Sequence, residues 1–322
     1  LESPVWNADL RNRLAALRAR GFEDGVVALL HAHRNPAHEL QCFDELKAVG
    51  FSRVVCSHQV SVKPRLVPRG QTALVEAAVA PLLHGYLQQV QTALGSSTPV
   101  RVMTSSGALQ SIKGLMAKDT ILSGPAAGMV GAIAAARASG FERVPVLGFD
   151  MGGTSTDVFC VAAAEDAALR LVQEQTDIAG LQLLAPRLPI ETVAAGGGSV
   201  LQRDGDRLRV GPRSAGARPG PACYRAGGPL TITDANLVLG RLQLHRFPCV
   251  FGAQGDQPPD LEVVQQQFEA LATELCQRPE QLAEGALQLA IERMSAAIRR
   301  VSLHRGQDIR GGVLVAYGGA GG

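Results

Sequence analysis

The residues of this chain with the plainest chemical use lie together in Asp150-Met-Gly-Gly-Thr-Ser-Thr-Asp157. Adjacent glycines, Gly152 and Gly153, let backbone N–H groups approach an anion where a Cβ would block the way. The hydroxyls of Thr154, Ser155 and Thr156 can donate to phosphate oxygens or to metal-bound water. Asp150 and Asp157 could hold Mg²⁺ through water, as phosphate-handling sites do. The elements that must position these groups are two apolar runs, Val144 to Phe149 before them and Val158 to Ala164 after them. Together they read as a β-hairpin with the polar residues at its turn. No Gly-x4-Gly-Lys-Ser/Thr loop occurs in the chain, so this is not a Walker-type site. A tight hairpin with an ordinary glycine turn would use the same residues, and the surrounding sequence has to decide.

That surrounding sequence resembles a known family. Phe149 to Val158 is similar to the signature of the hydantoinase A / 5-oxoprolinase family, and four further stretches follow the family's order. They are Leu122-Ser-Gly-Pro-Ala-Ala-Gly128, Glu191-Thr-Val-Ala-Ala-Gly-Gly-Gly-Ser199, the pair Ser214 to Tyr224 with Thr233 to Leu242, and Gly318-Gly-Ala-Gly-Gly322. Within the family, Val67-Pro-Arg-Gly-Gln-Thr72 and Phe247-Pro-Cys-Val-Phe-Gly252 look like 5-oxoprolinases rather than N-methylhydantoinases or acetone carboxylases. One departure stands out. The position before Ser214 is commonly Glu in the family and the one before Pro219 Asp or His, whereas this chain has Arg213 and Arg218. If an acidic group there does chemistry in relatives, this protein lacks it.

Composition sets outer bounds. With 322 residues, 46% hydrophobic and 19% charged, the chain can bury one large core or two ordinary ones and is far from disordered. A net charge of +2 and an aromatic content of 4% exclude a polyanion-binding or base-stacking surface, so no nucleic-acid partner is expected. The six cysteines are scattered and form no Cys-x-x-Cys pair, which suggests neither zinc nor disulfides. No run approaches the length of a membrane span, so a soluble, cytoplasmic protein without membrane contact is expected. The opening at Leu1 and the ending in a glycine cluster suggest a piece of a longer polypeptide.

Taken in order, the chain alternates helix and strand, the pattern of a layered α/β protein. Asp9 to Arg20 reads as an amphipathic helix, Gly25 to His31 as a buried strand, Pro36 to Val49 as a helix and Arg53 to Cys56 as a strand. His31, His33 and His38 lack an acidic partner at ligand spacing and read as loop or capping residues. Lys63 to Gly70 reads as a basic loop, followed by a long helix from Gln71 to Ala93 that tolerates Pro81. Val100 to Met103 runs into the hydroxyl-rich turn Thr104 to Gly107, a position where open α/β sheets bind ligands, although a simple polar turn fits equally. Ser123, a candidate N-cap, opens a thin glycine- and alanine-rich helix to about Ser139.

Beyond the hairpin, Ala168 to Gln175 alternates as a strand, and Glu191 to Ser199 reads as a strand ending in a triple glycine. Flexible residues in a row cost stability, which argues that Gly196, Gly197, Gly198 and Ser199 lie against a ligand or another backbone. Gly211 to Tyr224 reads as a loop, and Thr231 to Gly240 as a helix with Thr233 as N-cap and Asp234 at the positive end of its dipole. A linker, Gln254 to Asp260, precedes helices at Leu261 to Ala272 and Pro279 to Arg305. A last strand, Gly312 to Tyr317, leads into a turn where Gly318, Gly319 and Gly321 offer bare backbone to a purine or ribose.

The resemblance implies an RNase H-like, actin-like ATPase fold of the actin, Hsp70 and sugar-kinase superfamily. Residues 1–122 would be the remainder of a first lobe, 123–140 a crossover helix and 141–322 the second lobe. It implies an ATP- and Mg²⁺-dependent hydrolase of cyclic amides, most closely 5-oxo-L-proline opened to L-glutamate. Asp150 and Asp157 would act in catalysis and metal binding. Gly152, Gly153, Thr154, Ser155 and Thr156 would handle phosphate, Gly196 to Ser199 the nucleotide or substrate, and Gly318, Gly319 and Gly321 the adenosine. A hydantoinase B-type region or subunit is the implied partner, and the full-length protein is expected to be a homo-oligomer. In the family the complete first lobe begins with another Asp-x-Gly-Gly-Thr loop that this chain lacks, so these 322 residues alone are expected to be inactive. The alternatives are the ATPase subunit of an N-methylhydantoinase or acetone carboxylase, and a non-catalytic actin-like nucleotide-binding scaffold.

Overall fold

The computed structural model describes residues 6–163 and 172–321, and the chain is a mixed α/β protein. It divides into two compact units, Leu1–Ala127 with Ala168–Pro189, and Gly128–Ala167 with Ile190–Gly322. The division falls inside the glycine-rich helix, between Ala127 and Gly128. Residues Ala168–Pro189, expected in the second lobe, group with the first unit instead.

In the first unit, α1 (Ala8–Ala19) lies against α2 (Ala37–Val49), and β1 (Asp24–Val27) pairs in parallel with β2 (Arg53–Cys56). Val27, Cys42, Leu46, Phe51, Val54 and Cys56 form the core, with Leu14 and Leu17 of α1 packed on it. The strand expected to reach His31 stops at Val27, because Ala32, Arg34 and Asn35 turn back to bond the carbonyls of Leu29 and His31. A single turn, α3 (Ser57–Val60), follows β2.

The long helix α4 (Leu66–Leu94) starts five residues ahead of the expected Gln71 and swallows half of the basic loop. Pro68 falls in its first turn, where a missing N–H costs nothing. The polar residue there is the fully buried Arg69, whose guanidinium donates to the hydroxyl of Ser57 (2.8 Å) and the carbonyls of Lys63 (2.9 Å) and Leu29. Two short antiparallel pairs, β3 (Arg101–Met103) with β4 (Leu109–Ser111) and β7 (Thr176–Ile178) with β8 (Leu181–Leu183), complete this unit. Half of the strand expected over Ala168 to Gln175 lies outside the described residues; within them, Gln173 makes one isolated bridge to Arg187.

The second unit is built on one sheet of order β12-β5-β6-β9, comprising β12 (Val313–Tyr317), β5 (Val146–Met151), β6 (Thr156–Val161) and β9 (Glu191–Val193). β5 and β6 form the expected hairpin, and β12 runs parallel to β5. The helix α5 (Ser123–Ala138) reaches this unit at Gly128, which sits against the ring of Tyr317. A second hairpin, β10 (Ser199–Asp204) with β11 (Arg207–Ser214), occupies a stretch expected in part to be loop. Its signal was present: Gly205-Asp206, the two residues between the paired Asp204 and Arg207, is a hairpin turn pair with glycine first.

Three helices finish the unit. They are α6 (Ile232–Val238), α7 (Leu261–Glu274) and α8 (Pro279–Val301). Val264 and Phe268 of α7 and Leu282, Ala283 and Ala286 of α8 form the main core with Leu201, Val210 and Ile232. Ala297 and Val301 of α8 cover Val158 and Cys160 of the hairpin. α8 ends at Val301 instead of Arg305, where the Ser302 hydroxyl folds back onto the Ile298 carbonyl at 2.6 Å.

Candidate functional site

The β5–β6 turn is tied off by one hydrogen bond, from the N–H of Gly152 to the carbonyl of Ser155 at 2.9 Å. The N–H groups of Gly153, Thr154 and Ser155 donate to no protein acceptor among the described residues, and neither do the exposed hydroxyl of Thr154 and the half-buried hydroxyl of Ser155. A run of free donors at a turn suits an anion. Thr156 differs from its neighbours. Its hydroxyl is fully buried and donates to the carbonyl of Ala195, so it fastens the hairpin to the triple glycine.

Asp150 and Asp157 are cross-strand partners, and Tyr317 and Thr192 extend the same row on the flanking strands. Burial and the neighbouring Asp157 push the Asp150 carboxyl above its ordinary range. Burial likewise raises Asp157, opposed by the Thr192 hydroxyl, which donates to its carboxylate at 2.5 Å. Asp150 itself accepts no hydrogen bond from the described residues. Half-buried, side by side and without a cationic partner, the two carboxylates carry uncompensated negative charge.

The triple glycine lies directly under the turn. The N–H groups of Gly197 and Gly198 donate to the carbonyls of Gly152 and Gly153 at 3.0 and 2.6 Å, and the Gly196 N–H donates to the Ser199 hydroxyl at 2.9 Å. A Cβ on Gly196 would fall 2.6 Å from the Gly152 carbonyl oxygen, and one on Gly198 2.8 Å from that of Gly153. Backbone-to-backbone packing is thus what these glycines permit at their lower side. On the other side the Gly197 carbonyl accepts from the N–H (2.8 Å) and hydroxyl (2.9 Å) of Thr233. Thr233 is therefore a tether. The cap of α6 is Thr231, in a capping box with Asp234. The fully buried Asp234 carboxylate accepts from the N–H groups of Ala222, Cys223 and Thr231 and from the Thr231 hydroxyl, stapling the proline-rich loop to α6.

Beside this knot opens a cleft of about 610 Å³, within the range of small-molecule sites. Gly153, Gly197, Gly198, Gly319 and Gly321 line it from the sequence-predicted set. Asp150, Asp157, Gly152, Thr154, Ser155, Thr156, Gly196, Ser199 and Gly318 do not line it. Gly318, at φ +95°, instead lets the strand end turn close against the Asp150 carboxylate. The N–H of Ala320 donates to the Met151 carbonyl at 2.8 Å, so both glycine turns share the mouth of the cleft.

The remaining walls were not anticipated. Thr233 and Asn236 of α6 and Leu287, Ile291 and Met294 of α8 supply a mixed floor, with Arg241 at the rim. Tyr224 and Phe247 supply an aromatic side, backed by Phe251, whose ring stacks on Tyr224 at 4.4 Å. The signal in sequence was the Thr-Asp-Ala-Asn run opening α6, which also reads as simple capping. Arg213 and Arg218 are exposed and make no ion pair among the described residues. The Thr104 turn is structural: the Ser105 hydroxyl accepts the Leu122 N–H at 3.0 Å and the Thr104 N–H bonds Ala108.

A model of the hydantoinase/oxoprolinase family matches residues 69–322, the hairpin, both glycine loops and the cleft included. The chain belongs to this family. Among relatives of the hydantoinase/oxoprolinase chain is the 5-oxoprolinase PfmaA of Pestalotiopsis fici, 39% identical over 97% of this chain and 24% of its own length. Two solved structures are similar to it. One is nucleotide-free acetone carboxylase, with a TM-score of 0.80 and 27% identity over 97% of this chain and 44% of that one. The other is the ATP-dependent caprolactamase of Pseudomonas jessenii, with a TM-score of 0.76 and 30% identity over 97% and 45%. The chain thus spans about a quarter of the 5-oxoprolinase's length. Among the described residues no helix is long and apolar enough to cross a membrane.

The first unit holds a second cluster, Glu39, Cys56 and His58, with ligand atoms within 4.8 Å of one another. Its chemistry is that of a structural network. The Glu39 carboxylate already accepts from the Leu29 N–H, the Ser57 hydroxyl, the His58 N–H and the His58 ring. Burial pushes the Cys56 thiol up to about 11.

Proposed function

We propose that this chain is the nucleotide-handling portion of an ATP-dependent cyclic amide hydrolase with an actin-like second lobe, acting on 5-oxo-L-proline. The single observation that carries the reading is the cleft of the second unit, where the predicted phosphate turn and the predicted adenosine turn meet. The adenosine would lie against Gly319 and Gly321 with Tyr224 and Phe247 beside it. The phosphates would reach past Gly153 to the free N–H groups and hydroxyls of the β5–β6 turn. The residues suit Mg²⁺: two half-buried carboxylates with no cationic partner are the oxygen donor set that a hard divalent ion takes, through water.

ATP makes chemical sense here because an unstrained lactam resists hydrolysis. Transfer of the γ-phosphoryl group to the lactam oxygen, with ADP as the leaving group, would make the amide carbon electrophilic; one water would add there and open the C–N bond, and a second would hydrolyse the resulting acyl phosphate to the carboxylate and inorganic phosphate. For such a transfer the protein mainly positions and neutralises charge. The turn's free donors would hold the phosphoryl oxygens, and Asp150 and Asp157 would place the cation between them. Ring opening would also call on a hydantoinase B-type region or subunit.

The test is ADP release by the natural polypeptide carrying this sequence, with Mg²⁺, ATP and 5-oxo-L-proline. Stimulation with stoichiometric glutamate supports the reading, and its absence with every lactam or hydantoin tried overturns it. The likeness to acetone carboxylase favours one second reading, the ATPase part of a ketone carboxylase. Stimulation by acetone plus bicarbonate instead of a lactam would select it.

A further inference from the structure

The row of side chains across the second unit's sheet ends on a phenol with nothing to bond. Tyr317 is the direct neighbour of Asp150 on the adjoining parallel strand, and Asp150 is in turn the neighbour of Asp157. Side chains in register on adjacent strands share a face, so hydroxyl and carboxylates line up on one surface. The Tyr317 hydroxyl makes no hydrogen bond among the described residues, and it is not sealed away from solvent.

Its position is set from above by Gly128. A Cβ at residue 128 would fall 2.6 Å from the phenol oxygen and 3.2 Å from the ring edge, so any side chain there would push Tyr317 out of the row. This gives the glycine of Ser123-Gly-Pro-Ala-Ala-Gly128 a chemical reason. It leaves room for a hydroxyl beside two carboxylates.

We propose that Tyr317 is a positioning residue of the phosphate site, its phenol oxygen accepting from the water shell of a divalent cation held at Asp150 and Asp157, with Gly128 as the residue that admits it. The inference rests on the proposed Mg²⁺-nucleotide site and adds to it a hydroxyl on a third strand. Water held on a cation has its lone pair engaged and donates strongly, and a phenol oxygen can accept from it. Asp150 and Asp157 supply the charge, and Tyr317 fixes where the hydrated ion sits between them.

The experiment is Mn²⁺ binding, read by the loss of the free-ion paramagnetic resonance signal, with and without ATP. It uses the natural polypeptide and its Y317F, G128A and G128A/Y317F variants. Removing one charge-assisted hydrogen bond should weaken Mn²⁺ binding by roughly tenfold in Y317F. G128A should weaken it similarly, and the double variant should be no worse than Y317F, because the two changes remove the same contact. Y317F should melt at the wild-type temperature, which separates positioning from folding. If Y317F binds Mn²⁺ as well as wild type, or if the two losses multiply, the inference is overturned. Loss confined to the ATP-containing arm would move the bond to a phosphate oxygen and also overturn it. Wild-type protein that binds neither Mn²⁺ nor ATP would instead remove the nucleotide reading itself, and this inference with it.

Discussion

Asp150 and Asp157 stand opposite one another across the β5–β6 hairpin, each carboxyl raised above its ordinary range by burial and Asp150 further by its neighbour. A raised folded-state value means that the native protein holds the proton more tightly than the unfolded chain does. Ionisation therefore costs stability as pH rises above the ordinary carboxyl value of 3.8. Asp150→Asn should melt higher than wild type at neutral pH, and that advantage should shrink in acid. Calorimetric melting of both proteins across this range checks it. Mg²⁺ at a hundredfold excess over Kd should stabilise the wild type by about 2.7 kcal/mol, raising its melting temperature, and leave the variant unchanged.

The first unit should respond to acid in the opposite sense. Burial alone would raise the Glu39 carboxyl, but hydrogen bonds from Ser57, His58 and Leu29 outweigh it and hold the group below its ordinary value of 4.5. Its contribution is then complete above that value and is lost as pH falls through the lowered one. Arg69 shares Ser57 with this carboxylate, so Arg69→Met should cost about 3–5 kcal/mol in urea melts by orphaning buried polar groups. Protection of first-unit amides from hydrogen exchange should drop with it.

Gly198→Ala should damage the knot beneath the turn. The new Cβ would press on the Gly153 carbonyl oxygen, which accepts the N–H of residue 198 itself. A loss of about 1–3 kcal/mol is expected, together with weakened ATP binding, because the turn moves with its support. Unchanged stability would show that the knot is slack.

Gly148→Ala tests packing away from the cleft. The ring of Phe159 crosses the space that a Cβ at residue 148 would need. We expect destabilisation of at least about 1–3 kcal/mol, partly recovered in the Gly148→Ala/Phe159→Leu pair, whose smaller side chain vacates that space.

Much of the second unit was legible because its signals are local. An apolar run, a glycine turn and a second apolar run specify a hairpin without reference to anything distant, although the strands reach further into the turn than the apolar runs do, to Met151 and from Thr156. The glycine loops were legible as places of close approach, but the sequence does not say what approaches. Gly196 and Gly198 prove to face the hairpin's own backbone, whereas Gly319 faces open cleft. Thr231 outcompeted Thr233 as the cap because Asp234 sits three residues beyond it, the spacing of a capping box. The start of α4 was hidden because Arg69 looks like a surface charge until Ser57, Lys63 and Leu29 are brought around it. Such partners lie up to 40 residues apart, and residue spacing alone carries no record of them.

The most direct test of the central claim is calorimetric titration of Mg²⁺-ATP into wild-type protein and Gly319→Val. Gly319 lines the cleft, and a Cβ there would meet no protein atom within 4 Å. The substitution should therefore fill the cleft without straining the fold. The account predicts one ATP bound per wild-type chain and binding abolished in Gly319→Val at an unchanged melting temperature. Equal affinity in the two proteins, or no binding by wild type, would contradict it.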